Sequence, residues 1–133
     1  MSNNKSFLMQ SVIVGDKLVE ALKETKGIYW SAHVVYWSLL RLRNNKKRCC
    51  SISSENLIQR LHMNRATLFK SLKFLEKQGF VFILRRSNKS NIYFMPLEDY
   101  YLKPELLNNY ASTIESLGGS LMAWDEYRKE FLK

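Results

Sequence analysis

The sequence is poor in the residues that build metal sites and disulfides. It has only two cysteines, which are adjacent at Cys49 and Cys50, and two histidines in 133 residues. A disulfide between neighbouring residues is badly strained, so we expect reduced thiols and a cytoplasmic protein. Two histidines beside a vicinal cysteine pair also fit no zinc site of familiar spacing. We therefore expect no metal ion.

The sequence also lacks long apolar runs and the motifs of the common enzyme classes. No run approaches the ~20 apolar residues of a membrane-spanning helix. The first six residues carry one charge and no long apolar segment follows, so we expect no signal peptide. There is no glycine-rich phosphate loop, metal-binding His-Glu helix or nucleophile elbow. Scattered acidic residues do not favour paired-carboxylate chemistry. We expect a protein that is not an enzyme and needs neither a cofactor nor a membrane.

Positive charge is in excess, and it is concentrated in the middle of the chain. The formal net charge is +9, from 21 Lys and Arg against 12 Asp and Glu. Residues 41–95 hold thirteen basic side chains and only two acidic ones, Glu55 and Glu76. Such a density of like charge costs stability unless a polyanion balances it. A basic segment of this kind favours nucleic-acid binding over the alternative, an ordinary solvated basic face.

The middle third has the spacing of two short helices followed by a hairpin. Ser53 or Ser54 can cap a helix of about two turns that ends near Leu61, and Asn64 can cap a longer helix from Arg65 to about Gln78. Gly79 suits the position after that helix. Residues 80–86 and 91–95 are typical of strands, and residues 87–90 have turn chemistry. In the longer helix, three leucines at i, i+4 and i+7 predict the buried side: Leu68, Leu72 and Leu75.

The flanking segments predict further helices. A helix capped by Ser31 precedes the basic middle, and residues 16–23 also favour a helix, whereas residues 7–9 and 12–14 could be extended. After the hairpin, residues 105–117 and 121–132 have helical spacing. Apolar stripes on such helices need a partner surface. The terminal helices either fold back onto the domain or pair with a second copy of the chain. We expect a homodimer built by these helices.

Residues 53–81 resemble the winged helix-turn-helix superfamily. The part that resembles it most is the run N-R-A-T-L-F-K-S-L-K-F-L-E-K-Q-G-F-V, from Asn64 to Val81. The chain is similar to bacterial transcription regulators and to the N-terminal domains of plasmid or phage replication initiators. The resemblance covers residues 31–95 and implies a mainly α fold with a small β-hairpin (α+β). That domain would lie between an N-terminal extension, residues 1–30, and a C-terminal helical extension, residues 96–133.

The resemblance also implies which residues contact DNA. The N-terminal half of the longer helix enters the major groove, and the hairpin, or wing, contacts the backbone or minor groove. Two residues of the preceding helix, Asn56 and Arg60, are placed to reach phosphate. On the longer helix the resemblance implies Arg65, Thr67, Phe69 and Lys70, and on the wing it implies Arg85, Arg86, Lys89 and Asn91. Asn64 and Lys73 face away from the buried leucines, so we expect them to contact DNA as well.

We therefore expect a sequence-specific, nucleoid-associated protein that binds double-stranded DNA and regulates transcription. One alternative is an accessory protein in plasmid or phage replication initiation. A second is a winged-helix adaptor or inhibitor that binds a protein and not DNA. A third is a single-strand binder, which would need exposed aromatic rings, for which Phe69 and Tyr93 are the candidates.

Overall fold

The computed structural model describes residues 13–23, 25 and 27–132. These residues are mainly helical, with a small three-stranded antiparallel sheet, and this confirms the predicted α+β class. They divide into two compact units: the described residues from 23 to 95, and residues 13–22 together with 96–132. The elements in chain order are α1 (13–22), α2 (Tyr29–Arg41), β1 (Cys49–Ser51), α3 (Ser54–Leu61), α4 (Arg65–Lys77), β2 (Phe82–Leu84), β3 (Ile92–Phe94), α5 (Pro96–Leu102), a 3-10 helix (Pro104–Asn109), α6 (Tyr110–Ser116) and α7 (Leu121–Phe131).

The predicted starts of α3 and α4 are confirmed by their capping hydrogen bonds. The Ser53 hydroxyl accepts from the backbone N–H of Asn56 at 3.1 Å. The Asn64 side-chain oxygen accepts from the N–H of Thr67 at 2.8 Å. These bonds satisfy donors that have no partner in the first turn of a helix. Between the helices, His62 takes a left-handed backbone conformation with φ of 51°, which lets the chain turn sharply.

The predicted cap of α2 is wrong, because the helix begins two residues before Ser31. Ser31 instead lies in the first turn, where its hydroxyl is 3.1 Å from the carbonyl oxygen of Ile28 and 2.8 Å from the hydroxyl of Ser71. Ser71 is fully buried on α4 and also lies 2.9 Å from the carbonyl oxygen of Thr67. The Ser31 hydroxyl therefore joins α2 to α4 at their packed surface.

One side of α4 is buried against α2, as the leucine spacing predicts. Leu68, Leu72 and Leu75 all lie in the core. From α2 the core receives Ala32, Val35, Tyr36 and Leu39. Because this side of α4 is committed to packing, its opposite side faces solvent.

The sheet has the order β1-β3-β2, with both pairs antiparallel. Tyr93 of β3 lies opposite Cys50 on one side and Ile83 on the other. The predicted hairpin of β2 and β3 is confirmed, although each strand has only three residues. Asn88 in its turn has φ of 60°, a left-handed conformation that Asn tolerates better than most residues.

In the second unit, aromatic side chains and a buried hydrogen bond join the helices. The ring centroids of Tyr110 and Trp124 are 5.1 Å apart, and those of Trp124 and Tyr127 are 5.5 Å apart. The Tyr110 hydroxyl donates to a carboxylate oxygen of Asp99 at 2.6 Å. The predicted single helix over 105–117 is wrong, because Pro104 starts a 3-10 helix and α6 begins only at Tyr110.

The extended conformation considered for residues 12–14 is wrong at positions 13 and 14, which are helical. Val14, Leu18 and Leu22 form one buried stripe at four-residue spacing, and this stripe favours a helix through Gly15. Residue 12 and the segment 7–9 lie outside the described residues.

Candidate nucleic-acid interface

The solvent side of α4 carries a row of lysines. Lys70, Lys73 and Lys77 are exposed and lie three or four residues apart, so they share one side of the helix. We call these three residues the lysine face. Among the described residues, no ion pair or hydrogen bond is made by their side chains. The first turn of α4 contains no acidic residue, so the positive helix N-terminus adds to this charge.

A groove lies between α4 and the hairpin, and it brings predicted site residues from both elements together. We call it the Phe69 groove; its volume is about 420 Å³. Phe69 and Lys73 line it from α4, and Arg85 and Asn91 line it from the hairpin. The other lining residues are Ser54, Leu72, Glu76, Ile83 and Tyr93.

An adjoining groove brings Arg65 and Lys89 together. It has a volume of about 540 Å³ and is called here the Arg65 groove. The start of α3, the first residue of α4 and the hairpin turn line it. Ser54 and Asn91 line both grooves, so the two are neighbours on one surface. Predicted site residues that are far apart in sequence therefore share this surface: Arg65, Phe69, Lys73, Arg85, Lys89 and Asn91.

Two of the predicted arginines are held by acidic side chains. Nη2 of Arg65 donates to both carboxylate oxygens of Glu55, at 2.6 and 2.7 Å. Arg85 donates from Nη1 and Nη2 to Glu76, at 2.7 and 2.9 Å. Hydrogen bonding to these carboxylates raises the pKa of both arginines, so both stay charged. Glu55 and Glu76 are also the only acids of residues 41–95, so the acidic charge of this segment lies at the site.

Both ion pairs lie at the surface, where water and salt weaken them. The guanidinium of Arg65 also lies over the Phe69 ring, 5.7 Å from its centroid. Among the described residues, no acceptor contacts Nη1 or Nε of Arg65. Each arginine is therefore oriented by its partner while remaining exposed to solvent.

The other predicted contacts have more varied surroundings. Arg86 is half-buried, and its Nε donates to the Ser90 carbonyl oxygen at 2.9 Å, so it braces the hairpin turn. The Asn64 side chain is used as the cap of α4, and Thr67 is half-buried. Lys70 is exposed but lines neither groove.

The two predicted residues on α3 line a third groove. Asn56 and Arg60 are exposed there, in a space of about 540 Å³. Ser53 and Ser90 line both this groove and the Arg65 groove, so α3 continues the same surface.

Lys77 was not among the predicted contacts, although its seven-residue spacing from Lys70 places it on the same side of the helix. The pairing of Glu55 and Glu76 with arginines of this surface was not predicted either.

The second aromatic candidate, Tyr93, is unsuited to stacking on bases because it is fully buried. Burial raises the pKa of its hydroxyl, whereas the side chain of Asn91 lowers that pKa.

Burial and the neighbouring Cys49 raise the pKa of the Cys50 thiol to about 11. Cys50 is therefore protonated at neutral pH and a poor nucleophile.

Comparison with known proteins returns no relative: no family model, curated protein or solved structure matches the chain. Within residues 13–23, 25 and 27–132, no cluster of three or more His, Cys, Asp or Glu side chains is suited to bind a metal ion. None of the helices in this part of the chain is long and apolar enough to cross a membrane.

Proposed function

We propose that residues 31–95 form a winged helix-turn-helix domain that binds double-stranded DNA in a sequence-specific way. The order of elements from α2 to β3 supports this proposal, with β1 between the first two helices and a hairpin after the third. α3 and α4 are joined by a tight turn and are the helix-turn-helix pair. The hairpin of β2 and β3 is the wing.

The observation that carries the proposal is that exposed basic side chains of α4 and of the wing border one surface, on which Glu55 and Glu76 pair with two of the arginines. The lysine face projects from the side of α4 opposite the core, and the major groove is wide enough to admit a helix. The Phe69 and Arg65 grooves then extend that surface to Lys89 and Arg85 on the wing. A duplex has phosphates on both sides of its major groove, so charge on both elements suits it better than charge on one.

In this proposal, the lysines supply affinity and the start of α4 supplies selectivity. Lys70, Lys73 and Lys77 bind phosphate as point charges and release counterions when they do so. Arg65 presents two nitrogens to a base edge or a phosphate while Glu55 holds the third. A strong anion such as a phosphate competes with Glu55, since exposed ion pairs are weak.

Regulation of transcription is the role that we propose for such a domain, and a role in plasmid or phage replication is the nearest alternative. An adaptor function is favoured by a different observation. On α2, the Trp30 side chain is 77% exposed and Val34, one turn later, is 43% exposed. A large apolar side chain in solvent is more typical of a protein contact than of a DNA contact.

Selection from a random duplex library, followed by fluorescence anisotropy at two salt concentrations, tests the proposal. We expect one enriched duplex, a preference for it over the matched single strand, and affinity that falls steeply with salt. Lys73→Ser should weaken binding to every duplex and lower the log–log salt slope by about 0.9. Lys129→Ser, which changes an exposed lysine of α7 in the other unit, is the matched control and should change neither quantity. Absence of an enriched duplex, or equal effects of the two variants, would contradict the proposal.

A further inference from the structure

Phe69 is an exposed aromatic side chain that lies between basic residues on α4. Its neighbours along the exposed side of α4 are Arg65, one turn before it, and Lys73, one turn after it. The side chain is 46% exposed, although the core of the same unit accepts aromatic rings elsewhere, such as Tyr36 and Phe94. The position of Phe69 therefore adds apolar surface to the cationic side of α4.

The exposed part of this ring belongs to an apolar floor. In the Phe69 groove it is joined by Leu72, Ile83 and Tyr93, of which Leu72 and Tyr93 are buried and Ile83 is half-buried. The charged groups Lys73, Arg85 and Glu76 line the same groove. The groove thus combines an apolar floor with charged and polar lining groups.

The guanidinium of Arg65 lies over the Phe69 ring, and Glu55 holds that guanidinium in place. The guanidinium thus lies against one face of the ring, and the ring also lines the Phe69 groove. A base that stacked on the ring would compete with Arg65, whereas a smaller apolar group would not.

We propose that Phe69 recognises a thymine base by contact with its 5-methyl group, an inference that rests on the proposed binding of duplex DNA by α4. In the major groove, the edges of the base pairs present hydrogen-bond donors and acceptors, and the thymine methyl is the apolar group among them. A phenyl ring against a donor or acceptor would deprive it of water without replacing the hydrogen bond. Phe69 therefore favours the one base that offers it an apolar surface.

This contact would make Phe69 a specificity-determining residue whose effect does not depend on charge. The lysine face binds the phosphates of any sequence, and it carries no information about the bases. Phe69 adds a preference for one base at one position. Its loss should lower selectivity and leave the dependence of binding on salt unchanged.

Methyl deletion in the DNA tests the inference directly. The full chain is titrated with the duplex enriched from the random library, and each thymine in turn is replaced by deoxyuridine, which differs only by the missing methyl. At one thymine we expect the wild type to bind about fourfold more weakly, the effect of one buried methyl group. Phe69→Ala should bind the thymine and deoxyuridine duplexes equally at that position.

Two further variants separate this contact from a merely structural role. Phe69→Leu keeps an apolar side chain and should retain part of the difference between thymine and deoxyuridine, even where Phe69→Ala lowers thermal stability. Val34→Ala shortens an exposed apolar residue on α2 and should retain the whole difference in binding between the thymine and deoxyuridine duplexes. The salt slope should be the same for all these chains.

The outcomes separate this inference from the proposed function. If the wild type shows no methyl effect at any thymine, or if Phe69→Ala retains it, the inference is wrong while duplex binding stands. Preference for the single strand, lost in Phe69→Ala, would make the ring a stacking platform and would overturn the inference. If no duplex is bound at all, the proposed function fails and the inference fails with it.

Discussion

Arg65 and Glu55 join the first residue of α4 to the first turn of α3, through two hydrogen bonds of 2.6 and 2.7 Å. Arg85 and Glu76 make the corresponding connection between the hairpin and α4. The two ion pairs thus link the three elements that line the grooves. Each also places a negative charge beside an arginine that we propose to meet DNA, so the acids reduce the attraction of the surface for phosphate.

We expect Glu55→Gln to tighten binding to duplex DNA several-fold and to steepen its salt dependence. The substitution removes a competitor for the Arg65 guanidinium and takes one negative charge away from the surface. Anisotropy titrations at several salt concentrations measure both effects. Glu105→Gln, an exposed acid in the other unit, is the control. Weaker binding by Glu55→Gln would mean that the carboxylate is needed to position Arg65.

Arg65→Ala and Lys89→Ala should have different effects on DNA binding. Arg65 lies at the start of the proposed recognition helix, and its loss should lower the ratio between enriched and random duplexes. Lys89 lies in the hairpin turn, so its loss should weaken both duplexes alike and reduce the salt slope by about 0.9. Competition titrations with the two duplexes distinguish these results. Equal losses on both duplexes for Arg65→Ala would contradict its role in selectivity.

Asn64→Ala should destabilise the protein by about 0.5–2 kcal/mol, because the N–H of Thr67 then loses its capping acceptor. Asn64→Ser keeps a capping oxygen and should recover most of this free energy. Urea unfolding of the wild type and both variants gives the comparison. If Asn64→Ala unfolds like the wild type but binds DNA poorly, the side chain acts on DNA and not as a cap.

The raised pKa of Cys50 predicts a loss of stability at alkaline pH. In the unfolded chain the thiol ionises near its ordinary pKa of 9.0, whereas in the folded chain its pKa is about 11. Between these values the unfolded state holds fewer protons, so the free energy of unfolding falls as the pH rises. Thermal unfolding from pH 8 to 11 should therefore show a smaller decline for Cys50→Ala than for the wild type. Equal declines would mean that Cys50 ionises alike in both states.

The proposed homodimer can be tested at α7. This helix exposes Met122 to 73% and also exposes Leu121, and both are suited to pack against a second copy. Sedimentation equilibrium should show a dimer for the wild type and a monomer for Met122→Glu. A monomeric wild type at tens of micromolar would rule out the dimer.

Much of the central unit could be predicted because its signals are local. Ser53 and Asn64 cap helices through bonds to residues three positions away, and the leucine spacing of α4 identifies its buried side from the sequence alone. The prediction failed at the cap of α2. Ser31 has the sequence neighbours of a capping residue, but it lies within α2, where its hydroxyl contacts Ser71, forty residues further along the chain.

The sequence by itself determined the helices α3 and α4, the hairpin after them and the concentration of charge in residues 41–95. Capping, side-chain periodicity and turn chemistry act over a few residues and can be recognised without a structure. Only the tertiary structure decided which arginines are paired, that Tyr93 is buried while Phe69 is half exposed, and that α4 and the hairpin share one surface. These properties depend on how elements pack, and packing brings together side chains whose separation in sequence carries no signal of their contact.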